Sequence, residues 1–299
     1  GRQFSRHSGL TALACLEPVF RVTIGDLTTM KLAWMTDIHL NFLEPADRRR
    51  FLQTARDQAD AFVISGDIAE NPSITGVLTE MADVWQKPIH FVLGNHDFYR
   101  GSIGKTRVEV AELAEELESL KYLTAIGVVG LSPQTAIVGH DGWADARLGD
   151  FEGSDVILND YGLIEELHKW KGSLYLDKPA LRDALNVLGD EAARHFEVVL
   201  QEAVAQYAAV IAVTHVPPFK EAAWYNGRHS DDNYLPHFAC KAVGDVMRKV
   251  MEANPQSRLL VLCGHTHGSG EVQILENLQV LTGGAEYGNP VVQRIFDIG

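Results

Sequence analysis

Three observations on the 299-residue chain predict an α/β fold. Short apolar runs alternate with amphipathic stretches along most of the length. Each run closes on glycine or polar residues before a helical pattern begins, and an apolar content of 46% supports a sizeable core. The runs are "KLAWMT" (31–36), "AFVIS" (61–65), "IHFVLG" (89–94), "AVIAVTH" (209–215) and "RLLVLCG" (258–264). Helices are predicted in "PADRRRFLQTARDQ" after the first run, "SITGVLTEMADVW" after the second, "GKTRVEVAELAEELESL" after the third and "HFACKAVGDVMRKVMEA" before the fifth. The longest, "KPALRDALNVLGDEAARHFEVVLQEAVAQY" over about 178–207, precedes the fourth run and is expected to break at Gly189. Near the C-terminus "EVQILENLQVLTGG" reads as two strands around a tight turn at Glu276 and Asn277, and "VVQRIF" as a last strand.

Residues from about 140 to 175, rich in Gly, Asp and Trp and weakly periodic, are expected to be irregular and close to a site. The chain therefore divides into a domain over 30–299, with an irregular or cap-like insertion around 140–208, and a leading segment 1–29. That segment is expected to be an extension, from upstream sequence or added in cloning, or else a β-hairpin turned at Gly25 and Asp26.

Composition bounds the function. The net charge of −14 gives a surface field that repels polyanions, which disfavours general nucleic-acid binding, although bound cations can reverse this inside a cleft. No run reaches the roughly 18 to 20 apolar residues of a membrane helix, so no membrane partner and a cytoplasmic location are expected. Cys15, Cys240 and Cys263 are odd in number and widely spaced, which suits neither a disulfide framework nor a CxxC zinc site; buried free thiols are expected.

The strand ends share one property. The first run ends in "TDIHL", with Asp37 and His39; the second in "SGDIAE", with Asp67; the third in "LGNHDF", with Asn95, His96 and Asp97. The fourth ends in "VTHVPP", with His215, and the fifth in "CGHTHG", with His265 and His267. Sites in open α/β sheets form at the carboxyl ends of strands, so five runs deliver polar side chains to one edge. Asp, His and Asn offer hard oxygen and imidazole donors without thiolate, which suits Zn, Mn, Fe, Ni or Co. Seven candidate ligands are too many for one tetrahedral ion and about right for two that share a carboxylate. Gly66, Gly94 and Gly264 precede ligand positions and permit sharp turns there.

The ordered set "DIH", "GD", "GNHD", "TH" and "GHTH" resembles the five motifs of the calcineurin-like metallophosphoesterases over about residues 31–285. The resemblance implies a four-layer α/β/β/α sandwich with two mixed β-sheets, and a site with two divalent metals that hydrolyses phosphate esters. It implies that Asp37, His39, Asp67 and His267 hold one metal, that Asp67, Asn95, His215 and His265 hold the other, and that Asp67 bridges. His96 is then a catalytic residue facing the substrate phosphate, held by the neighbouring Asp97 or by a backbone carbonyl. Glu70 in "GDIAE" departs from many relatives and leaves the ligands untouched.

Further contacts are sought in the loops. In "VGHDGWADARLGDF", which holds His140, Asp141, Trp143 and Asp145, Arg147 is the candidate phosphate clamp. After His215, Trp224, Tyr225, Arg228 and His229 form a candidate lid suited to a base or aryl ester, and Tyr287 in "GGAEYGNP" is within reach of the site. With Asn95 and His96 themselves, Arg147, Trp224, Tyr225 and Arg228 complete the candidate substrate contacts. The expected function is hydrolysis of a phosphate mono- or diester of a small or nucleotide-like molecule. A nuclease of the same fold is the alternative, disfavoured by charge, and an inactive metal-binding scaffold is a third reading, disfavoured because no ligand of the pattern is missing. Oligomeric state stays open.

Overall fold

The structure is a computed structural model that describes residues 29–171 and 175–299. The leading segment, with the hairpin or extension expected there and Cys15, lies outside the described residues. In chain order the elements begin with β1 (Met30–Met35), α1 (Pro45–Arg56), β2 (Ala61–Ser65), α2 (Ile74–Trp85), β3 (Ile89–Val92), α3 (Ile103–Glu116) and β4 (Leu120–Tyr122). They continue through β5 (Val129–Gly130), β6 (Thr135–Gly139), a short α4 (Asp160–Leu163), the hairpin β7 (Trp170–Lys171) and β8 (Tyr175–Leu176), then α5 (Lys178–Gln206) and β9 (Ala209–Val213). The hairpin β10 (Trp224–Tyr225) and β11 (Arg228–His229), α6 (Leu235–Phe238), α7 (Lys241–Ala253), β12 (Arg258–Cys263), β13 (Gly270–Leu275), β14 (Leu278–Thr282) and β15 (Arg294–Ile298) complete the chain.

Two mixed sheets result. The first has the order β15-β1-β2-β3-β4 and the second β13-β14-β12-β9-β6-β5. In the first, β1 to β4 run parallel and only β15 is antiparallel; in the second, β6, β9, β12 and β14 are parallel and the edge strands β5 and β13 are antiparallel.

Strand alternation explains the layers. Leu32 and Trp34 of β1, Ala61 and Val63 of β2, Ile211 and Val213 of β9, and Leu260 and Leu262 of β12 meet in one cluster between the two sheets. Their neighbours point the other way. Ala33, Met35, Phe62 and Ile64 pack with Leu52 of α1, Met81 and Trp85 of α2, and Val110 of α3. Val210, Ala212, Leu259 and Val261 pack with Phe196 and Leu200 of α5 and Met247 and Met251 of α7. Because every core strand is apolar on both faces, each sheet must be covered twice, and the fold is a four-layer α/β/β/α sandwich.

Two sequence expectations are corrected here. The helix over 178–206 does not break at Gly189: α5 is continuous, and a Cβ there would fall 2.5 Å from Cβ of Asp145. The glycine makes room for a close-packed loop. Of the segment 140–208, α5 belongs to the helical layer of the second sheet, so the irregular part ends before residue 178. That irregular part has a structural use. The buried Asp145 accepts from the amides of Lys241 (3.1 Å) and Ala242 (2.8 Å), capping α7 from outside, and it pairs with Arg147. Asp141, also buried, accepts from the amide of Leu93 at 2.8 Å and from Arg107, Tyr122 and Thr124. It thereby pins the end of β3. Cys240 and Cys263 are buried and free, and burial pushes the Cys263 thiol up to about 12.

Candidate metal centre

Five parallel strands end at the same edge of the sandwich, and the turns that follow them carry the site. Nine non-glycine residues among those described adopt positive φ, and five of these are candidate ligands: Asp37 (49°), His39 (39°), Asp67 (54°), His265 (69°) and His267 (57°). Such left-handed conformations cost energy for residues with a Cβ and persist where the surroundings over-determine them. Here the turns hold one another. The amide of Asp37 donates to Gly66 O, that of His39 to Asp67 O and that of Gly264 to His215 O, at 2.9 to 3.0 Å. Close approach also demands glycine at two positions: a Cβ on Gly94 would sit 2.2 Å from Asp67 Oδ1, and one on Gly264 would sit 2.0 Å from Asp37 Oδ2. Both glycines thus accommodate carboxylates.

The side chains gather in two sets. Asp37, His39, Asp67 and His267 each present a donor atom, all within 4.8 Å of one another. His39 Nε2 lies 3.4 Å from His267 Nε2 and 3.7 Å from Asp67 Oδ2, and His267 Nε2 lies 3.5 Å from Asp37 Oδ1. In the second set Asn95 Oδ1 is 2.9 Å from both His215 Nε2 and His265 Nδ1, and His215 Nε2 is 3.4 Å from Asp67 Oδ1. Asp67 therefore faces one set with each of its oxygens.

The surrounding hydrogen bonds define the free nitrogens. His215 Nδ1 lies 2.8 Å from Ser65 O, a partner that can only accept, so Nδ1 carries the proton and Nε2 is left as a lone pair toward Asn95 and Asp67. By the same logic His265 Nε2 donates to His237 O at 3.0 Å, which frees Nδ1. Asn95 is oriented as well: its amide nitrogen donates to Asp160 Oδ1 at 2.9 Å and its oxygen faces the imidazoles.

Electrostatics agree with a cation between these groups. Burial holds His39 and His265 down at about 4 and lowers His215 too, so the imidazoles are neutral at pH 7, the form that binds metal. Burial also opposes ionisation of Asp37, but its bond to His267 and the nearby imidazoles outweigh burial and keep it below the usual range. Asp67 is pushed well up, by burial first and then by the charges of Asp37 and Asp97. Neutral nitrogens and crowded buried carboxylates, with no Lys or Arg paired to Asp37 or Asp67 among the described residues, are a donor set that divalent metal fits.

His96 stands beside the first set, with its ring 4.7 Å from that of His39, and burial lowers it to about 2. Asp97 does not hold it. That carboxylate is fully buried and accepts from the amides of Ile68, Ala69 and Gly94 at 2.7 to 2.8 Å, tying the turn after β2 to the turn after β3. Glu70, whose Oε1 is 3.6 Å from His96 Nδ1, takes the neighbouring place and pairs with Arg100 on its other oxygen. The Tyr287 hydroxyl lies 3.5 Å from His96 Nε2.

The other candidates are placed differently from one another. Arg147 is engaged by Asp145 at 3.2 Å and Asp190 at 2.7 Å, an internal ion pair that occupies the expected phosphate clamp. Trp224 packs on His229 with ring centroids 4.0 Å apart, and Tyr225 packs on Tyr234 and Phe238. Arg228 is exposed on β11 of that hairpin. The sequence reading missed Asp160, Tyr99 and His237. Their partners lie 28 to 65 residues away or on a short helix without periodicity, and only the clustering of Asp and aromatic residues in 140–175 hinted at Asp160.

Comparison with known proteins agrees with this geometry. No curated protein matches the sequence. In fold, the chain is similar to the phosphopantetheinyl hydrolase of Mycobacterium tuberculosis, at 13% identity and a TM-score of 0.62 over 87% of this chain and 91% of that one. A dimetal phosphatase from Danio rerio follows at 15% identity and a TM-score of 0.53, covering 85% and 87%. A protein from Thermus thermophilus matches at 14% identity and 0.51, covering 86% and 90%. The family model described as "Calcineurin-like phosphoesterase" matches residues 30–269, which span all five strand-end turns, so the chain belongs to the calcineurin-like phosphoesterases and is a phosphoesterase enzyme.

Proposed function

We propose that the protein is a two-metal hydrolase of phosphate mono- or diesters of small or nucleotide-like molecules, with Asp37, His39, Asp67 and His267 holding one ion and Asp67, Asn95, His215 and His265 the other. The observation that carries this reading is the placement of Asp67, with Oδ2 toward His39 and Oδ1 toward His215. Two bound cations would supply Lewis-acid activation of water at neutral pH and neutralise phosphate oxygens. The chain's own groups do the rest. Asp67 shares its charge between the two sets, and Asp37 is held in place by Thr36 Oγ1 at 2.6 Å and by the amide of His265. His96 Nε2 faces Tyr287 at the partly exposed side of the cluster, where it can hydrogen bond a phosphate oxygen or the leaving oxygen. Glu70 Oε1, at 3.6 Å from Nδ1, is too far to accept a hydrogen bond from it, so the single proton of the neutral ring is free to sit on the outward Nε2.

The test is direct. Purified protein supplied with Mn or Ni is assayed on p-nitrophenyl phosphate, bis-p-nitrophenyl phosphate, cyclic nucleotides and single-stranded DNA, with Asp67→Ala as control. Metal-dependent turnover of a mono- or diester that the variant lacks is the expected result. Inactivity on every substrate with every metal, or an active Asp67→Ala protein, would overturn it.

A further inference from the structure

Nine large apolar side chains stand exposed among the described residues, and two of them touch each other at the edge of the site: Phe42 and Tyr287, each 51% exposed, with ring centroids 5.2 Å apart and planes at 74°. Exposed aromatic rings that meet beside a polar cluster leave apolar area in water, which is the mark of a surface completed by something else. Their position narrows what that is. Phe42 ends the short turn that follows His39, and its ring is 5.9 Å from the His39 imidazole. Tyr287, from the loop between β14 and β15, packs 4.6 Å from His39 and 5.0 Å from His267 and brings its hydroxyl to His96 Nε2. The pair therefore forms a wall running outward from His96.

The hairpin that the sequence suggested for this purpose has its rings already engaged. Trp224 and Tyr225 are half-buried against His229, Tyr234 and Phe238.

We infer that Phe42 and Tyr287 are a stacking platform for the organic part of the substrate, and that the enzyme prefers phosphate esters bearing a planar aromatic ring near phosphorus over those of flexible aliphatic alcohols. This rests on the reading of the cluster as the ester-hydrolysing site. A phosphate against His96 carries its ester group past Tyr287 and Phe42. A flat ring there stacks on the face of one ring and meets the other edge-on at little entropic cost, whereas an aliphatic chain must be ordered. The Tyr287 hydroxyl is separable from this function, because stacking needs the ring alone.

Binding of substrate-like phosphonates tests the platform without turnover. Calorimetric titration of the metal-loaded protein with phenylphosphonate and methylphosphonate is expected to show the phenyl compound bound roughly fivefold to tenfold more tightly. Phe42→Ala and Tyr287→Ala are expected to erase that margin and Tyr287→Phe to keep it, with thermal melts confirming that the surface variants fold. The non-hydrolysable 5′-phosphonate analogues of adenosine 5′-monophosphate and ribose 5-phosphate form a second pair, which distinguishes a nucleobase from a simple aryl group as the ring; preference in either pair supports the platform. Equal affinity in both pairs while esters are still hydrolysed overturns the platform alone, as does a preference that survives both alanine variants. Failure to bind any of these ligands, with no ester cleaved, overturns the platform and the phosphoesterase reading of this site together.

Discussion

The side-chain amide of Asn95 donates to Asp160 Oδ1 across 2.9 Å, and the same oxygen accepts from Tyr99 Oη at 2.8 Å. An amide has two ends of similar shape, and only the oxygen can bind a cation. Asp160, 2% exposed, fixes which end faces His215 and His265. Asp160→Ala is expected to weaken binding of one metal equivalent by about 10- to 100-fold and to spare the other, whereas Asp160→Asn, which keeps an acceptor oxygen, restores much of the loss. Metal titration of the stripped variants checks this.

The two histidines of "GHTHGSG" belong to different sets: His265 approaches Asn95 and His267 approaches His39. If each set holds one ion, as proposed, His265→Ala and His267→Ala are each expected to retain about one of the two equivalents, and the double variant still less. Elemental analysis after dialysis gives the numbers. Loss of both ions from either single variant would mean that the two positions are not independent.

His96 is adjacent to the candidate ligands without lying in either set. His96→Ala is expected to keep the metal content of the parent and to lower kcat by on the order of a hundredfold. Unchanged turnover, or loss of metal, would remove it from the reaction.

Stability of the helical layer turns on a single missing methyl. Alanine is worth about 1 kcal/mol over glycine inside a helix. At Gly189 that gain is opposed by contact with Cβ of Asp145 at 2.5 Å, an atom fixed by the loop backbone and by the cap on α7. Overpacking of this kind costs about 1–3 kcal/mol, so Gly189→Ala is expected to be destabilising. Denaturant unfolding shows the sign.

Glu191 is a source of acid sensitivity away from the candidate metal ligands. Glu191 is lowered to about 2 by its bond to His140 and by Arg107, with burial opposing. Its folded pKa lies below the value of about 4.3 in an unfolded chain, so the stabilisation is complete above pH ~4.5 and fades as the pH falls toward 2. The carboxylate is 42% exposed, and solvent screening keeps the effect modest. Glu191→Gln is expected to flatten the difference in unfolding free energy between neutral pH and pH ~3, measured against the parent, where protonation of the candidate metal ligands is common to both proteins.

The sequence made the strands and the strand-end polar residues legible for a physical reason. Runs such as "AFVIS" must be apolar on both faces in a four-layer sandwich, and the turn residues that close them sit within four positions of the strand. What was not legible depends on long-range pairing. Arg147 reads as a free cation until Asp190 of α5 is folded against it, and Asp97 reads as a partner for His96 until the amides of Ile68 and Ala69 are brought to it. Gly189 reads as a breaker because the loop that needs its vacant side is more than 40 residues away. The left-handed backbone at five candidate ligand positions has no local sign at all, since Asp and His elsewhere are mostly right-handed or extended.

Each donor set draws its members from both sheets. Asp37, His39, Asp67 and Asn95 follow strands of the first, while His215, His265 and His267 follow strands of the second. The cluster is a rivet through the interface between the two sheets. A slide of one layer over the other by an ångström would separate carboxylates of the first sheet from the imidazoles of the second that face them. On the proposed two-metal reading, metal affinity is a gauge of interlayer register, and distant substitutions that shift a sheet are expected to lower it.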